Sequence, residues 1–563
     1  MYMQSTQKTF NSKALIPSQQ SDANFLQPKV IGLLLFLLAL AWFLPLGYRH
    51  LVPTDEGRYA EIAREMWVSG DWITIRYNDY KYFEKPPLQM WATALTYQLF
   101  GLGEWQARFW VALTGFLSVI AVGFTGWRIF GARAGFLAAV VLASSPSWAL
   151  GSHFNSLDMG LSGMMAFALC TLLLAQQPSN TIREQRRWMW CCWAAMALAV
   201  LSKGLVGIVL PSMVLVVYSL LARDWRLWSH LHIASGLCVF LLIAAPWFVL
   251  VSIKNPEFPH FFFIHEHFER FTTDEHNRTG SVFYFLPLLM IGFFPWLPQL
   301  FNMPKQAQQQ PNKNGFNPSL LLLVWAVSIF IFFSASHSKL PGYTIPIFPA
   351  LALLAGAALS HASSYWRWQL ILSGGVLGVC FISMLFIFTF KPLENLVQYD
   401  NYTVWLIVSV GVGVLGTALA FCLRRCYLAS VTCYAGAFLA LVMLSSSGHE
   451  TLGRISSGVD LAAKVRPLLQ PEARLYALML DHTLPFYLEH KIIMVQKKDE
   501  LAFGIQQEPH KWVPTLSDFT ARWNSEPQAF AIMNPTVYAQ LLAQGLSMQK
   551  IAEDERRVVV KKP

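Results

Sequence analysis

The sequence predicts an all-α polytopic membrane protein of about thirteen transmembrane helices, with interfacial helices in its first outer loop and a small α/β domain at its C-terminal end. Of its 563 residues, 55% are hydrophobic and only 13% are charged; the charged share is roughly half the usual figure of about 25%. The mean hydropathy is +0.41. Apolar runs of about 20 residues recur along most of the chain, each long enough to cross a hydrocarbon core of about 30 Å. After residue 447 the pattern changes to polar helical stretches alternating with short apolar runs. These features exclude a soluble globular protein.

Residues 1–28 are polar, rich in Ser and Gln, and are expected to form a disordered cytoplasmic tail in place of a cleavable signal. The membrane domain is expected over 29–447. Its spans are expected at 30–48, 106–127, 134–152, 159–176, 189–202, 204–222, 231–252, 281–302, 318–335, 341–360, 369–390, 403–423 and 427–446. Lys and Arg asymmetry sets the orientation. With the N-terminus inside, the cytoplasmic segments carry Lys8, Lys13, Lys29, Arg128, Arg133, Arg183, Arg186, Arg187, Arg223, Arg226, Lys305, Lys313, Arg367, Arg424 and Arg425. Only Asp22, Glu184 and Asp224 oppose them. The net charge of +10 is therefore a topology signal, and no nucleic acid partner is expected. The eight cysteines lie in or beside apolar spans and offer neither a disulfide framework nor CxxC zinc spacing.

The first outer loop, 49–105, is too long for a simple connection. Thr54 suits a helix cap, with Asp55 and Glu56 favourable in the first turn. Behind them Tyr59, Ile62, Ala63, Met66 and Trp67 share one face, and Arg58, Glu61, Arg64 and Glu65 the other, so this helix is expected in the interface. After Pro86-Pro87 a second helix, Leu88–Phe100, is apolar nearly all round. The 303–317 loop, rich in Gln, Asn and Pro, reads as a flexible linker. An odd number of spans puts 448–563 on the outer side as an α/β domain. Within it Gly458–Leu469 reads as helical, and Leu475–Leu480, Ile492–Val495 and Ala529–Met533 are apolar runs.

Ionisable residues near membrane depth are costly and mark function. The topology brings such residues to one outer face: Asp55 and Glu56; Glu84 and Lys85; His153 and Asp158; Lys203; His265, Glu266, His267, Glu269 and Arg270; His337, Lys339 and Tyr343. Asp55, Glu56 and Asp158 each fit as acids at a helix start, but together they suggest a catalytic carboxylate and its orienting partner. Lys85, Lys203, Arg270 and Lys339 suit a cationic clamp for a phosphate, although Lys203 and Lys339 also fit lysines snorkelling at span ends. Lys85 stands in Tyr82-Phe83-Glu84-Lys85-Pro86-Pro87, where the prolines stiffen the backbone. Tyr343 offers a hydroxyl to the same phosphate, and Arg58, Tyr59 and Tyr82 lie close to substrate in this scheme. Glu84 and His265 are candidate ligands for a divalent metal such as zinc, the alternative being hydrogen bonding within an aromatic-rich loop. No other cofactor is expected.

Asp-Glu in the first outer loop, with a second Asp ahead of the fourth span, resembles the protein O-mannosyltransferase superfamily, membrane glycosyltransferases that use polyprenyl-phosphate sugars. Four blocks are similar, more specifically, to the aminoarabinose transferases of Gram-negative inner membranes. They are Thr54-Asp55-Glu56-Gly57-Arg58-Tyr59-Ala60-Glu61-Ile62, Lys81-Tyr82-Phe83-Glu84-Lys85-Pro86-Pro87-Leu88-Gln89, Leu201-Ser202-Lys203-Gly204 and Ser338-Lys339-Leu340-Pro341-Gly342-Tyr343. The resemblance covers 30–360; the C-terminal domain carries no recognisable motif. It implies a GT-C fold and transfer of 4-amino-4-deoxy-L-arabinose from undecaprenyl phosphate to lipid A phosphates at the periplasmic face of the bacterial inner membrane. Resistance to polymyxin and other cationic peptides would follow. The implied partners are the lipid-linked donor, lipid A and membrane lipids, and a monomer is expected. Lys85, Arg270 and Tyr343 would stabilise the leaving lipid phosphate. Asp55 and Asp158 would position the sugar, stabilise an oxocarbenium-like centre or hold the sugar's amine, and the residues leave these roles open. Also open are a sister transferase with another sugar or acceptor and a lipid-linked sugar transporter. A transporter would place its charges at mid-membrane between repeated halves, which this sequence lacks.

Overall fold

A computed structural model describes residues 25–269, 280–301, 315–361, 365–390 and 397–563. Helices dominate it, as they must where backbone N–H and C=O groups have no water to bind. Among the described residues nine helices are long and apolar enough to cross a membrane. They are Pro28–Gly47, Glu104–Phe130, Leu157–Ala175, Ile233–Lys254, Pro318–Ala335, Pro341–His361, Trp366–Thr389, Tyr399–Arg425 and Tyr427–Ser457. Ala132–Ser144 and Val206–Ala222 are apolar but shorter. The chain is thus a multi-pass membrane protein, and length and composition of the described residues do not confirm the count of thirteen. Two expected spans account for the rest. Segment 189–202 is the apolar end of Ile182–Lys203, whose first turns are Arg-rich, and 281–302 is broken into Phe285–Gly292, Phe294–Trp296 and Leu297–Leu300 around prolines. Trp42, Trp148, Trp296 and Trp325 are buried in the bundle core.

In the first outer loop the helices form at Asp55–Ser69 and Leu88–Phe100. Thr54 occupies the N-cap of the first, but its side chain makes no capping bond. The apolar face of this helix packs with Leu157, Leu201 and Trp247 of the bundle. Most of its polar face is shielded from water: Glu56, Arg58, Glu61 and Arg64 are buried, and Glu65 is half-buried. Pairing makes such burial tolerable. Arg64 donates to both oxygens of Glu61, at 2.7 Å and 2.6 Å. A hairpin of β1 (Arg76–Tyr77) and β2 (Tyr80–Lys81) follows. Its turn residues Asn78 and Asp79 have φ of 50° and 64°, the left-handed conformation that tight hairpins require.

The C-terminal domain covers this loop. Its strands are β3 (Arg474–Ala477), β4 (Ile492–Met494), β5 (Ala529–Met533), β6 (Gln549–Glu553) and β7 (Val558–Lys561), in the order β4-β3-β5-β7-β6. β4 and β5 run parallel to β3, while β7 is antiparallel to both β5 and β6. Side chains alternate between the two faces. Leu475, Ala477, Phe530 and Ile532 pack toward Tyr77 and Tyr80 of the first loop. Tyr476, Ala529, Ala531 and Met533 pack under Phe519 and Trp523. The sheet thereby holds the C-terminal domain against the β1–β2 hairpin.

Candidate active site

A buried carboxylate joins the outer loops. Both oxygens of the fully buried Glu56 accept from Arg49, at 2.8 Å and 3.1 Å, and from Arg108, at 2.7 Å and 2.9 Å. They also accept the backbone N–H groups of Val52 and Asn155, each at 3.2 Å. Arg49 donates in addition to the His153 carbonyl at 3.1 Å, which ties the first outer loop to the one that leads into Asp158. Burial alone would raise the Glu56 carboxyl; the charges of Arg108 and Arg49 overturn this and hold it at about 2. With its acceptor sites filled and no exposure, Glu56 has no access to substrate. The expectation of a catalytic Glu56 is corrected on that ground: it is the anion of a buried ion cluster.

Asp55, one residue earlier, faces a different space and keeps 31% side-chain exposure. It accepts from Arg58, whose other amino group donates to Glu500. The Arg58 guanidinium lies 5.1 Å over the Tyr59 ring. Tyr82 lies within its electrostatic reach, and Glu84 acts in the same way on Tyr59, Tyr82 and Glu500. Glu500 belongs to the C-terminal domain and was invisible to sequence reasoning, because Lys497-Lys498-Asp499-Glu500 reads as a solvated charge run. Burial raises its carboxyl to about 7, although Arg58 pulls the other way. Next to it His482 places Nδ1 3.0 Å from Tyr77 Oη. Burial, then the charge of Arg58, pushes this imidazole down to about 4, so it is neutral near pH 7. Gly57 permits the approach, since a Cβ there would collide with the His482 carbonyl and Thr483.

A second cluster adjoins the first. Asp158, at the start of Leu157–Ala175, pairs with Lys203, at the end of Ile182–Lys203. The Lys203 ammonium lies 4.6 Å from the centroid of the Tyr343 ring, on the Pro341–Ile347 turn. Gly342 lets that turn in, since a Cβ there would overlap the Asp158 carboxyl. Asp55 acts electrostatically on Lys203, which links the two clusters. Lys85 donates to the Glu84 carbonyl at 2.8 Å and to Glu266 at 3.2 Å. Glu266 is carried by the π-helical segment His260–Glu269.

Other expected residues lie elsewhere. Arg270 is outside the described residues. Lys339 is 6% exposed and donates to the Phe333 and Ser334 carbonyls at 3.0 Å and 2.6 Å. It therefore caps the end of the Pro318–Ala335 helix, which corrects its assignment as a phosphate ligand. The His265 ring stacks on Phe261 at 5.1 Å, with Nδ1 3.8 Å from Glu266. Among the described residues no group of three or more His, Cys, Asp or Glu side chains is arranged to hold a metal ion, so Glu84 and His265 find no third metal ligand there. The site as built offers two carboxylates flanking one arginine, a paired acid beside lysine and tyrosine, and a lysine held by a carbonyl and a carboxylate. That set suits a ligand that carries both an anionic group and a polar, hydroxylated body.

Comparison with known proteins agrees with this chemistry. Residues 461–562 match the family described as the aminoarabinose transferase C-terminal domain, and 84–249 match the dolichyl-phosphate-mannose-protein mannosyltransferase family. An undecaprenyl phosphate-alpha-4-amino-4-deoxy-L-arabinose arabinosyl transferase of Shewanella sediminis is 32% identical over 67% of this chain and 68% of its own length. One of the same description from Erwinia tasmaniensis is also 32% identical, but the match spans only 58% of its length. The crystal structure of ArnT from Cupriavidus metallidurans bound to undecaprenyl phosphate superposes with a TM-score of 0.90 at 47% identity, over 94% of this chain and 97% of that one. On this identity and coverage, the chain belongs to the undecaprenyl phosphate–aminoarabinose arabinosyl transferase family.

Proposed function

We propose that the protein transfers 4-amino-4-deoxy-L-arabinose from undecaprenyl phosphate to phosphate groups of lipid A, at the periplasmic face of the bacterial inner membrane. The observation that carries this reading is the meeting of the Asp55–Arg58 pair with Asp158, Lys203 and Tyr343, contributed by four separate segments. A relative 47% identical is described as bound to undecaprenyl phosphate, which supports the same donor here.

Lys85 and Arg270, with Lys203 and the Tyr343 hydroxyl, take the donor phosphate, whose charge near lipid needs compensating donors. An ionised lipid A phosphate oxygen attacks the sugar C1. The bond from C1 to the donor phosphate oxygen breaks, its electron pair leaves on undecaprenyl phosphate, and the same cations stabilise the added charge. The nucleophile is already an anion, so no proton need be removed. Asp55 instead offsets positive charge developing on the sugar, while Asp158 positions Lys203. Arg58, Tyr59 and Tyr82 line the sugar side. No step is routed through a metal. The protein acts as a monomer, and masking lipid A phosphates brings polymyxin resistance.

Mass spectrometry of lipid A from cells with and without the protein tests this, together with transfer by the purified protein from a defined donor. Aminoarabinose on lipid A phosphates only when the protein is present is the expected result. A different sugar, a different acceptor or no transfer overturns the reading.

A further inference from the structure

Among the described residues three buried polar atoms around the Arg58 guanidinium make no hydrogen bond: Arg58 Nε, Tyr82 Oη and Glu500 Oε1, the last 3.4 Å from His482 Nδ1. Arg58 and Tyr82 are 8% and 2% exposed, so water does not satisfy them freely. Buried polar groups left open in this way call for a polar ligand. Glu500 and Asp55 each accept from one amino group of the guanidinium and keep 20% and 31% side-chain exposure, so the cluster borders accessible space.

The charge balance says what kind of ligand fits. Asp158 has its own cation in Lys203. Among the described residues Asp55 and Glu500 share the charge of Arg58, one on each amino group. The space is therefore short of positive charge, whereas an uncharged sugar would leave the carboxylates uncompensated in a partly desolvated site. Resting on the proposed function, we infer that Glu500 of the C-terminal domain, with Asp55, receives the cationic amino group of the donor sugar. Glu500 is thus a specificity-determining residue, and the outer domain completes the sugar site. The elevated carboxyl of Glu500 agrees with a pocket that lacks a cation until the ligand arrives.

The test uses the full chain in lipid nanodiscs with two donors, undecaprenyl phosphate carrying either 4-amino-4-deoxy-L-arabinose or the 4-hydroxy sugar, arabinose. The readout is the ratio of kcat/KM for the two donors. Wild type is expected to prefer the amino donor. Glu500→Gln keeps shape but removes the charge, and is expected to lower that ratio by about 10- to 100-fold, the worth of one charge-assisted hydrogen bond. Binding of sugar-free undecaprenyl phosphate should stay within about twofold, because that ligand has no amine to lose. If Glu500→Gln does not fold, Glu500→Asp retains the charge with a shorter reach and should lower the ratio by a smaller factor. An unchanged ratio in the folded variants overturns the assignment and leaves Glu500 a structural partner of Arg58. So does a wild type that shows no donor preference. Transfer of neither donor by wild type overturns the proposed function itself and this assignment with it.

Discussion

Asp55 and Glu56 are sequence neighbours with opposite environments, and two arginines decide the difference. Arg49 and Arg108 occupy both oxygens of Glu56 and leave Asp55 to the cleft. Because the folded Glu56 carboxyl stands at about 2, below an unfolded value of about 4.3, its stabilisation is present above the unfolded value and is lost as pH falls toward the folded one. The difference in melting temperature between wild type and Glu56→Gln, measured in detergent, is accordingly expected to stay level from pH 7 to about 5 and to shrink between about 4.5 and 2. Glu56→Gln should destabilise the protein by roughly 3 kcal/mol, since it leaves two buried arginines short of an anion. A melting curve with the same acid limb in wild type and variant would sink this account. For the catalytic cluster, Asp55→Asn preserves shape and is expected to lower transfer by about 100-fold or more through lost charge alone, with folding intact. Asp158→Asn frees Lys203 from its partner and should raise KM for the donor more than it lowers kcat; equal kcat losses in both variants would make Asp158 a second stabiliser of the sugar. The sequence singled out all three acids, because acids at helix starts on one face look alike. It did not separate them. The one clue was Arg108, an arginine within the expected span 106–127, which announces a buried anion.

The elements of the first loop were legible because each carries its own periodicity and start signal: acids in the first turn of Asp55–Ser69, and Pro86-Pro87 ahead of Leu88–Phe100. Three strands of the outer domain were legible as apolar runs. β6 and β7 were not, because Gln549–Glu553 contains only Ile551 and Ala552 as apolar residues and the three valines of Val558–Lys561 stand between Arg556-Arg557 and Lys561-Lys562, which read as solvated charge. What covers the polar face of the Asp55–Ser69 helix was equally hidden, since charge pairs such as Glu61–Arg64 look the same whether solvated or buried. Gly57 is where the two elements touch. Gly57→Ala forces the Cβ into the His482 carbonyl, and backbone cannot move aside as a side-chain tip does. The outer domain should shift, withdrawing Glu500 from Arg58. Transfer is expected to fall by about tenfold or more, a loss of roughly 1.4 kcal/mol of transition-state stabilisation, while limited proteolysis releases the 448–563 region faster than in wild type. Unchanged proteolysis together with full activity would show that this contact does not matter.

At the scale of the whole molecule, one helix relates the charge asymmetry to the site. Ile182–Lys203 has 22 residues, a length of roughly 33 Å at about 1.5 Å per residue, enough to cross a hydrocarbon core of about 30 Å. The exposed Arg183, Arg186 and Arg187 stand at its start, and Lys203, paired with Asp158, at its end. The basic cluster and the candidate active site thus stand at opposite ends of this helix, although those arginines keep it out of the most apolar class. Positive residues are retained on the cytoplasmic side, so the Lys203 end, with Asp55, Glu500 and the C-terminal domain, is expected to face the periplasm. In a background stripped of the eight native cysteines, Lys491→Cys samples the outer domain, where this side chain is 81% exposed. Arg186→Cys samples the other end. A membrane-impermeant maleimide applied to intact spheroplasts is expected to label position 491 at once and position 186 only after permeabilisation. Labelling in the reverse order would turn the molecule over, put the site in the cytoplasm and separate it from lipid A on the outer leaflet. Labelling of both positions without permeabilisation would mean that Ile182–Lys203 does not cross.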